Sequence, residues 1–460
     1  MRSASLFAVL ALALLLVASS VAYAQPPPTL LWSDPTDTLA IALSANGQYV
    51  VVGTFLEVRF YSRSSSTPLW IYSELSTFTS VAISADGSYV AAGSFGGVYF
   101  WANAKSLTGN PAPTWTSAIP GGSIEHRCLA ISDDGNYVAA CGTGPNVFYW
   151  AGAAGMTGSN IATTWDFSLA AQVEAIALSD DGNHVAAVGF SFNAGGVLGY
   201  WNNAISLTGH NQQPTWRAQE PNEQFVDVAI SDDGNYVAVA GLASTATIFY
   251  WANAITRTGT SEPHTWAGGV DVPFASVDIS CDGDSVIAGA EVLIEPSIGG
   301  AGVAVAGASA DGINRGSVYF WGAAQGLSGS PLPTWVYPTP LGVADVAIND
   351  AGTYMAAVTS NLDTLYFFDK QGNLLWQDVD IRGDKLSISC DGGTLAVGTP
   401  GPLTAYLFDT GFSTPCCGVE AVGGTAMPVN ILATLGPWLV VVGLVGCIGT
   451  AVVVAKKRRP

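Results

Sequence analysis

Residues 128–165 read CLAISDDGNYVAACGTGPNVFYWAGAAGMTGSNIATTW. The stretch holds a short apolar run, a turn at Asp134-Gly135, a second apolar run, an aromatic run ending at Trp150, and a connector to Trp165. Residues 81–115, VAISADGSYVAAGSFGGVYFWANAKSLTGNPAPTW, repeat the pattern, and so do the segments ending at Trp216, Trp266 and Trp335. Looser copies surround Gly47, Gly352 and Gly392. Asp-Gly between alternating apolar runs is a hairpin signal, read here as a two-residue turn in which both residues take positive φ.

A unit that recurs at this spacing signals a solenoid or a propeller. Three hairpin-linked strands (A, B, C) and a fourth (D) at the second Trp make one propeller blade. Eight turns, at Gly47, Gly87, Gly135, Gly182, Gly234, Gly283, Gly352 and Gly392, imply an all-β, eight-bladed β-propeller, or seven blades if the degenerate first copy is not one. Strand-D tryptophans follow only seven of the turns: Trp70, Trp115, Trp165, Trp216, Trp266, Trp335 and Trp376. The eighth unit stops at TAYLFDT, whereas TLLW (29–32) stands alone before the first strand A. The N-terminal strand is therefore expected to complete the last blade and close the ring, which removes exposed sheet edges.

SDDGNYVAA followed by VFYW resembles the WD-repeat pattern, over roughly residues 29–410. The Gly-His pair of that family is absent, and most copies lack the Asp after the strand-C Trp. FDKQGNLLW (368–376) resembles instead a quinoprotein-type blade. Propellers of both kinds serve many functions, so the fold alone assigns none.

Residues 1–24 carry one Arg, an apolar run and Ala22-Tyr23-Ala24, the form of a cleaved secretory signal. Trp438 to Ala455 is free of charge and precedes Lys456-Lys457-Arg458-Arg459. This reads as a transmembrane helix over 430–455 with a basic cytoplasmic tail at 456–460. A rival reading is a sorting signal that is cleaved and replaced by another anchor. Residues 25–410 form the propeller and 411–429 a Gly-rich stalk. The expectation is a single-pass cell-surface protein with the propeller outside. The formal net charge is −20. An acidic chain of this kind excludes a nucleic-acid partner, which needs a basic face.

Blades two to six carry long C–D connections such as WANAKSLTGNPAPTW, expected to hold a helical turn stopped by Gly. Blade six carries an insert between strands B and C, read as an extra hairpin. The pairs Asp133-Asp134, Asp180-Asp181 and Asp232-Asp233, with Asp86, Asp282 and Asp391, ring one channel mouth. A hard cation could use clustered carboxylates, but turn chemistry already accounts for each Asp. The histidines His126, His184, His210 and His264 lack metal-ligand spacing, and His184 fills a slot occupied by Tyr in other copies. No catalytic set, metal or cofactor is expected.

Cys128 and Cys141 flank their turn symmetrically. They are candidates for a disulfide across a non-hydrogen-bonded pair, where Cα atoms approach to about 4.5 Å. Cys281 and Cys390 fill equivalent slots two blades apart, too far to bond one another. Pyrroloquinoline-quinone alcohol dehydrogenases, which the resemblance brings into view, have a disulfide between adjacent cysteines by the cofactor. Here the adjacent pair, Cys416 and Cys417, is placed in the stalk beyond the last blade, clear of the channel, where intermolecular disulfides or lipid attachment are the expected uses.

The functional reading is a surface-anchored propeller acting as a binding or structural scaffold for a surface or extracellular protein or glycan. The alternative is an exported propeller enzyme, quinoprotein-dehydrogenase-like or a hydrolase, with its site at the channel mouth. Strand polarity puts the A–B turns and C–D connections on one face (the turn face) and the B–C loops and D–A segments on the other (the loop face). The loop face is expected to look outward and meet the partner. Its charged candidates are Glu125, His126, Arg127, Arg217, Glu220, Glu223, Glu291, Glu295, Asp378 and Arg382.

Overall fold

The computed structural model describes residues 28–119, 124–242, 247–268, 273–290, 316–360, 364–381, 383–399 and 404–417. The expected signal segment, the blade-six insert and the expected transmembrane segment lie outside these. Among the described residues no helix is long and apolar enough to cross a membrane.

Eight four-stranded antiparallel sheets form the eight blades. Blade one spans Ala40–Ser73, and blade two is Phe78–Ile83 (A), Tyr89–Ser94 (B), Gly97–Ala102 (C) and Trp115–Ser117 (D). The closing blade takes Lys385–Ile388, Thr394–Thr399 and Thr404–Asp409 from one end of the propeller and Thr29–Asp34 from the other. Thr29 pairs with Asp409 and Asp34 with Ala405, so the expected closure is present. Side chains fasten the seam with blade one. Arg59 lies 3.0 Å from Asp34, and Arg63 bridges to Asp409 at 2.7 Å and to Thr394 Oγ1 at 2.8 Å.

The hairpin turn differs from the sequence expectation. Only the Gly has positive φ (70° at Gly135), and the loop opens to four residues because Ser132 N–H donates to Tyr137 O. The Asp acts as a local acceptor: Asp134 takes hydrogen bonds from Ser132 Oγ (2.7 Å) and from Asn136 N (2.9 Å), while Ser132 Oγ accepts from Tyr137 N. The same set recurs at Asp86, Asp181, Asp233, Asp282 and Asp391. Gly135 is required twice over, by its φ and because a Cβ there would strike the Tyr89 ring of the preceding blade. His184 lies under Gly234 as Tyr137 lies under Gly182, so it packs as the sequence slot suggests.

Each long C–D connection contains a three-residue 3₁₀ turn, as at Ala104–Ser106 and Ala204–Ser206. The left-handed residue precedes this turn (Asn103, φ 55°; Asn203, φ 57°), and an extended Leu follows it, so Gly does not stop it. The turn's first carbonyl accepts the indole N–H of the previous blade's strand-D Trp. The pairs are Trp70–Ala104, Trp115–Ala153, Trp165–Ala204, Trp216–Ala254 and Trp266–Ala324, at 2.8–3.0 Å. Trp335 and Trp32 make the same bond to the short connections, at Lys370 O and Arg63 O. Trp376 is the exception, its indole N–H buried without a partner. It faces blade eight, whose C and D strands come from opposite ends of the propeller and are joined by no connection.

Removing one partner of a buried hydrogen bond strands the other, a loss of about 1–3 kcal/mol, whereas removing an unpaired donor relieves a cost. Trp165→Phe is therefore expected to destabilise the fold by about that amount. Trp376→Phe, with the same change of volume, should be near neutral or stabilising. Parallel urea or thermal unfolding of the two variants checks the ordering.

Candidate functional site

Strand A of every blade lines the central channel, so its lumen-side backbone groups have no sheet neighbour. At the turn face they find one another. Asn46 N–H donates to Ala85 O, Ala85 to Asp133, Asp133 to Asp180, Asp180 to Asp232, Asp232 to Cys281, Cys281 to Asp350, Asp350 to Cys390 and Cys390 to Ala45, at 2.9–3.3 Å. This circle crosses all eight blade seams. It places the side chains of Asp133, Asp180, Asp232 and Asp350 around one mouth, beside Cys281 and Cys390.

Turn chemistry accounts for the second Asp of each pair but not for the first. The Asp180 carboxyl hydrogen-bonds with those of Asp133 and Asp232. Burial first, and then the charges of its neighbours, push Asp180 well above the carboxylate range. Burial likewise raises Asp133 and Asp232, and Asp350 is pushed up to about 7. These groups share protons near neutrality.

The adjacent cysteines reach this mouth, contrary to their expected place in a free stalk. Cys416 is bonded to Cys390 of blade eight and Cys417 to Cys281 of blade six, with Cα separations of 5.1 and 6.4 Å. The Cys417 N–H donates to the Asp350 carboxylate of blade seven. Phe412 packs on Tyr354 and Phe367, and Thr414 Oγ1 accepts from the Asn349 side chain. Residues 411–417 are thus docked on the turn face across three blades. Cys281 and Cys390 do not bond each other, and the adjacent pair forms neither an intermolecular link nor a quinoprotein-like bridge between neighbours. Among the described residues the one cluster with metal-ligand proximity is Asp350, Cys390 and Cys416, and its two sulfurs are bonded to each other in one disulfide.

Cys128 and Cys141 are bonded, with Cα atoms 4.7 Å apart. The pair carries a ladder hydrogen bond, Cys141 N to Cys128 O, rather than lying between ladder bonds. The four-residue loop moves the hydrogen-bond alternation by one position relative to a two-residue turn.

At the loop-face mouth a cavity of about 330 Å³ is lined by His126, Arg127, Asp227, Asp278, Asp345 and Lys385 among others. Arg127, in the left-handed region (φ 61°), reaches across the lumen from blade three. It bonds Ala275 O at 2.9 Å and lies 3.4 Å from Asp227 and 3.5 Å from Asp345, on blades five, six and seven. The carboxylates are equally engaged. Asp227 accepts from Val277 N, Asp345 from Leu386 N and Asp278 from Ile348 N, each on the next blade's inner strand. Burial pushes Asp278 up to about 7 against the pull of the Ile348 and Ile279 N–H groups. Burial, then Lys385 and Arg127, depress His126 to about 4.

Among the described residues, the charged candidates placed here are spread between the channel and the outer strands. Arg127 points into the channel, and His126 lines it. Arg217 lies on the outer strand over the Phe167 ring, 4.8 Å from its centroid. His264 Nδ1 lies 3.0 Å from Glu220, Glu223 is buried, and Asp378 caps its own turn through Asp380 N. Glu291, Glu295 and Arg382 lie outside the described residues.

Charge-based reading missed the apolar loop residues. Phe55, Leu56, Phe95 and Phe192 stand in B–C loops, and Leu75 and Val379 in D–A segments, all on the loop face and all exposed; Leu75 and Phe192 are each 96% exposed. The signal was legible as an apolar residue inside a turn: TFLE (54–57), SFGG (94–97) and SFNAGG (191–196).

No family model matches the sequence, and no curated protein matches it. Solved structures do. The Dos1 propeller superposes with a TM-score of 0.60 at 13% identity, covering 84% of this chain and 96% of that one. Sqt1 of Chaetomium thermophilum, bound to the N-terminus of the ribosomal protein L10, gives 0.60 at 14% over 82% and 97%. BamB of Moraxella catarrhalis gives 0.54 at 15% over 83% and 99%. The fold is an eight-bladed β-propeller. At these identities the likeness is one of fold alone.

Two outcomes follow from the turn-face mouth. Raised native pKa values mean that the folded state holds protons the unfolded state releases near pH 3.8. Stability should therefore fall as pH rises from about 4 through about 7. Asp180→Asn should flatten that slope, as read by melting temperature across the range. Non-reducing peptide mapping should recover Cys281 with Cys417 and Cys390 with Cys416. A peptide linking Cys416 to Cys417, or alkylation of all four thiols in unreduced protein, would contradict the clasp.

Proposed function

We propose that the protein is a surface-anchored scaffold whose propeller binds a protein partner through its loop face. In this reading residues 1–24 direct export, 430–455 anchor the chain and 456–460 stay inside. Cys417 is the last described residue and is fixed at the turn-face mouth, so this reading takes the loop face as the one free to meet a partner. The observation that carries the binding role is the set of large apolar side chains exposed in the loops of that face. Exposed apolar groups on a rigid scaffold mark interaction surfaces. The channel charges, in contrast, are used by one another and by backbone N–H groups. The Sqt1 structure, which holds the N-terminus of a ribosomal protein, is a precedent for a propeller of this general shape taking a polypeptide. A glycan partner fits less well, because the exposed set is apolar and poor in hydrogen-bonding groups.

The test uses the full chain on intact cells. A membrane-impermeant amine reagent should label Lys105 and Lys370, which lie on the turn face outside the membrane. Chemical cross-linking should then give a partner adduct that is lost when Phe55, Leu56, Leu75, Phe95 and Phe192 are all changed to Ser. The adduct should persist in Leu332→Ser, a control on the opposite face. Labelling only after permeabilisation would overturn the location, and an adduct unaffected by the loop substitutions would overturn the binding face.

A further inference from the structure

Four of the exposed apolar residues, Phe55, Leu56, Leu75 and Phe95, stand in neighbouring loops at the seam of blades one and two. Leu56 O accepts from Glu74 N at 2.9 Å, which sets the Phe55-Leu56 loop against the Glu74-Leu75 segment. The Glu74 carboxylate accepts from the Tyr72 hydroxyl and lies against that of Tyr99. The Tyr99 hydroxyl in turn lies beside Gly96, next to Phe95. Beneath the patch, Tyr72, Phe78 and Tyr99 pack edge-on or tilted, at 5.4–6.2 Å between ring centroids. The patch thus has an aromatic floor, exposed apolar groups at Phe55, Leu56, Leu75 and Phe95, and one carboxylate, Glu74, held by that floor. Among the described residues no Lys or Arg pairs with Glu74. Its neighbour Glu57 shares Arg59 with Asp34, so that cluster also carries excess negative charge.

We infer that this patch binds a polypeptide segment bearing an aliphatic or aromatic anchor next to Lys or Arg. This rests on the reading that the loop face is the binding face, and adds the partner's chemistry. The apolar groups supply the desolvated contact on which binding hot spots depend. Glu74 sets its sign, reinforced by the net negative Glu57–Arg59–Asp34 cluster, since an unpaired carboxylate beside a buried contact favours a cation and opposes an anion. The same charges oppose an anionic lipid surface. They also oppose a second copy of this chain, in which the part outside residues 1–24 and 456–460 holds 10 basic against 35 acidic residues (15 less Arg2, Lys456, Lys457, Arg458 and Arg459, against 35).

The experiment measures binding of fluorescent synthetic peptides to the full-length protein. One set carries a Leu or Trp flanked by Lys on both sides, and the other replaces each Lys by Glu. The Lys set should bind about tenfold tighter or more. Leu75→Ser and Phe95→Ser should each weaken it about tenfold. Glu74→Gln should cut the Lys preference several-fold and reduce its salt dependence. Leu332→Ser should change nothing, and unchanged melting temperatures would show that the variants are folded. Equal affinity for the two sets, or a preference for Glu that Leu75→Ser still abolishes, overturns the partner chemistry while leaving the loop face standing. Peptide binding untouched by Leu75→Ser and Phe95→Ser overturns the patch. Binding to phosphatidylcholine vesicles, abolished by Leu75→Ser and without peptide binding, assigns the patch to lipid and overturns the inference. If no peptide binds, the inference fails and the loop face is judged by the cross-linking result alone.

Discussion

The propeller depends on a backbone problem and its solution. The inner strand of each blade has a sheet neighbour on one side only, and buried backbone donors must be paired. At the turn-face mouth each blade donates an N–H to the next, from Asn46 to Ala85 round to Cys390 and Ala45. A circle of hydrogen bonds closes only when the last blade is complete, so strand Thr29–Asp34 contributes to every seam through its own. This is also why four aspartates stand together there. The ring fixes their backbones, and the side chains adapt by keeping protons.

The outer wall repeats the logic with side chains. A strand-D Trp of one blade is clasped by a carbonyl of the next, and stacking continues from blade to blade, as in Tyr149–Trp165–Trp201 at 5.0 and 5.5 Å. Trp376 shows what the clasp requires, since it alone meets a blade without a C–D connection. At that interrupted blade the chain turns inward instead, and two disulfides fasten it to blades six and eight.

The two mouths of the channel are chemically different. One holds carboxylates with a cystine clasp, while the other holds Arg127 among Asp227, Asp345 and backbone carbonyls. Both sets are turned inward, toward satisfaction of the ring, whereas the apolar loop residues are exposed to solvent. The separation of a self-satisfied channel from an unsatisfied outer surface is what directs the functional reading to the loop face.

Blade number and closure were legible in the sequence, because each follows from local chemistry repeated at fixed spacing: the Ser-x-Asp-Gly turn, alternating strands and a Trp per outer strand. The pairing of Cys128 with Cys141 was legible for the same reason, since two residues equidistant from one turn must face each other. What joins distant parts of the chain was not. Cys416 and Cys417 could be placed only once residues 411–417 were seen to cross the turn face, and Arg127 read as a loop charge until a left-handed backbone turned it into the lumen. The second and first Asp of each pair are neighbours in sequence, yet one serves its own turn and the other the ring. Local spacing determined the blades of this protein, whereas contacts made across the axis, which no spacing encodes, decided where its charges, its tail and its free apolar surface lie.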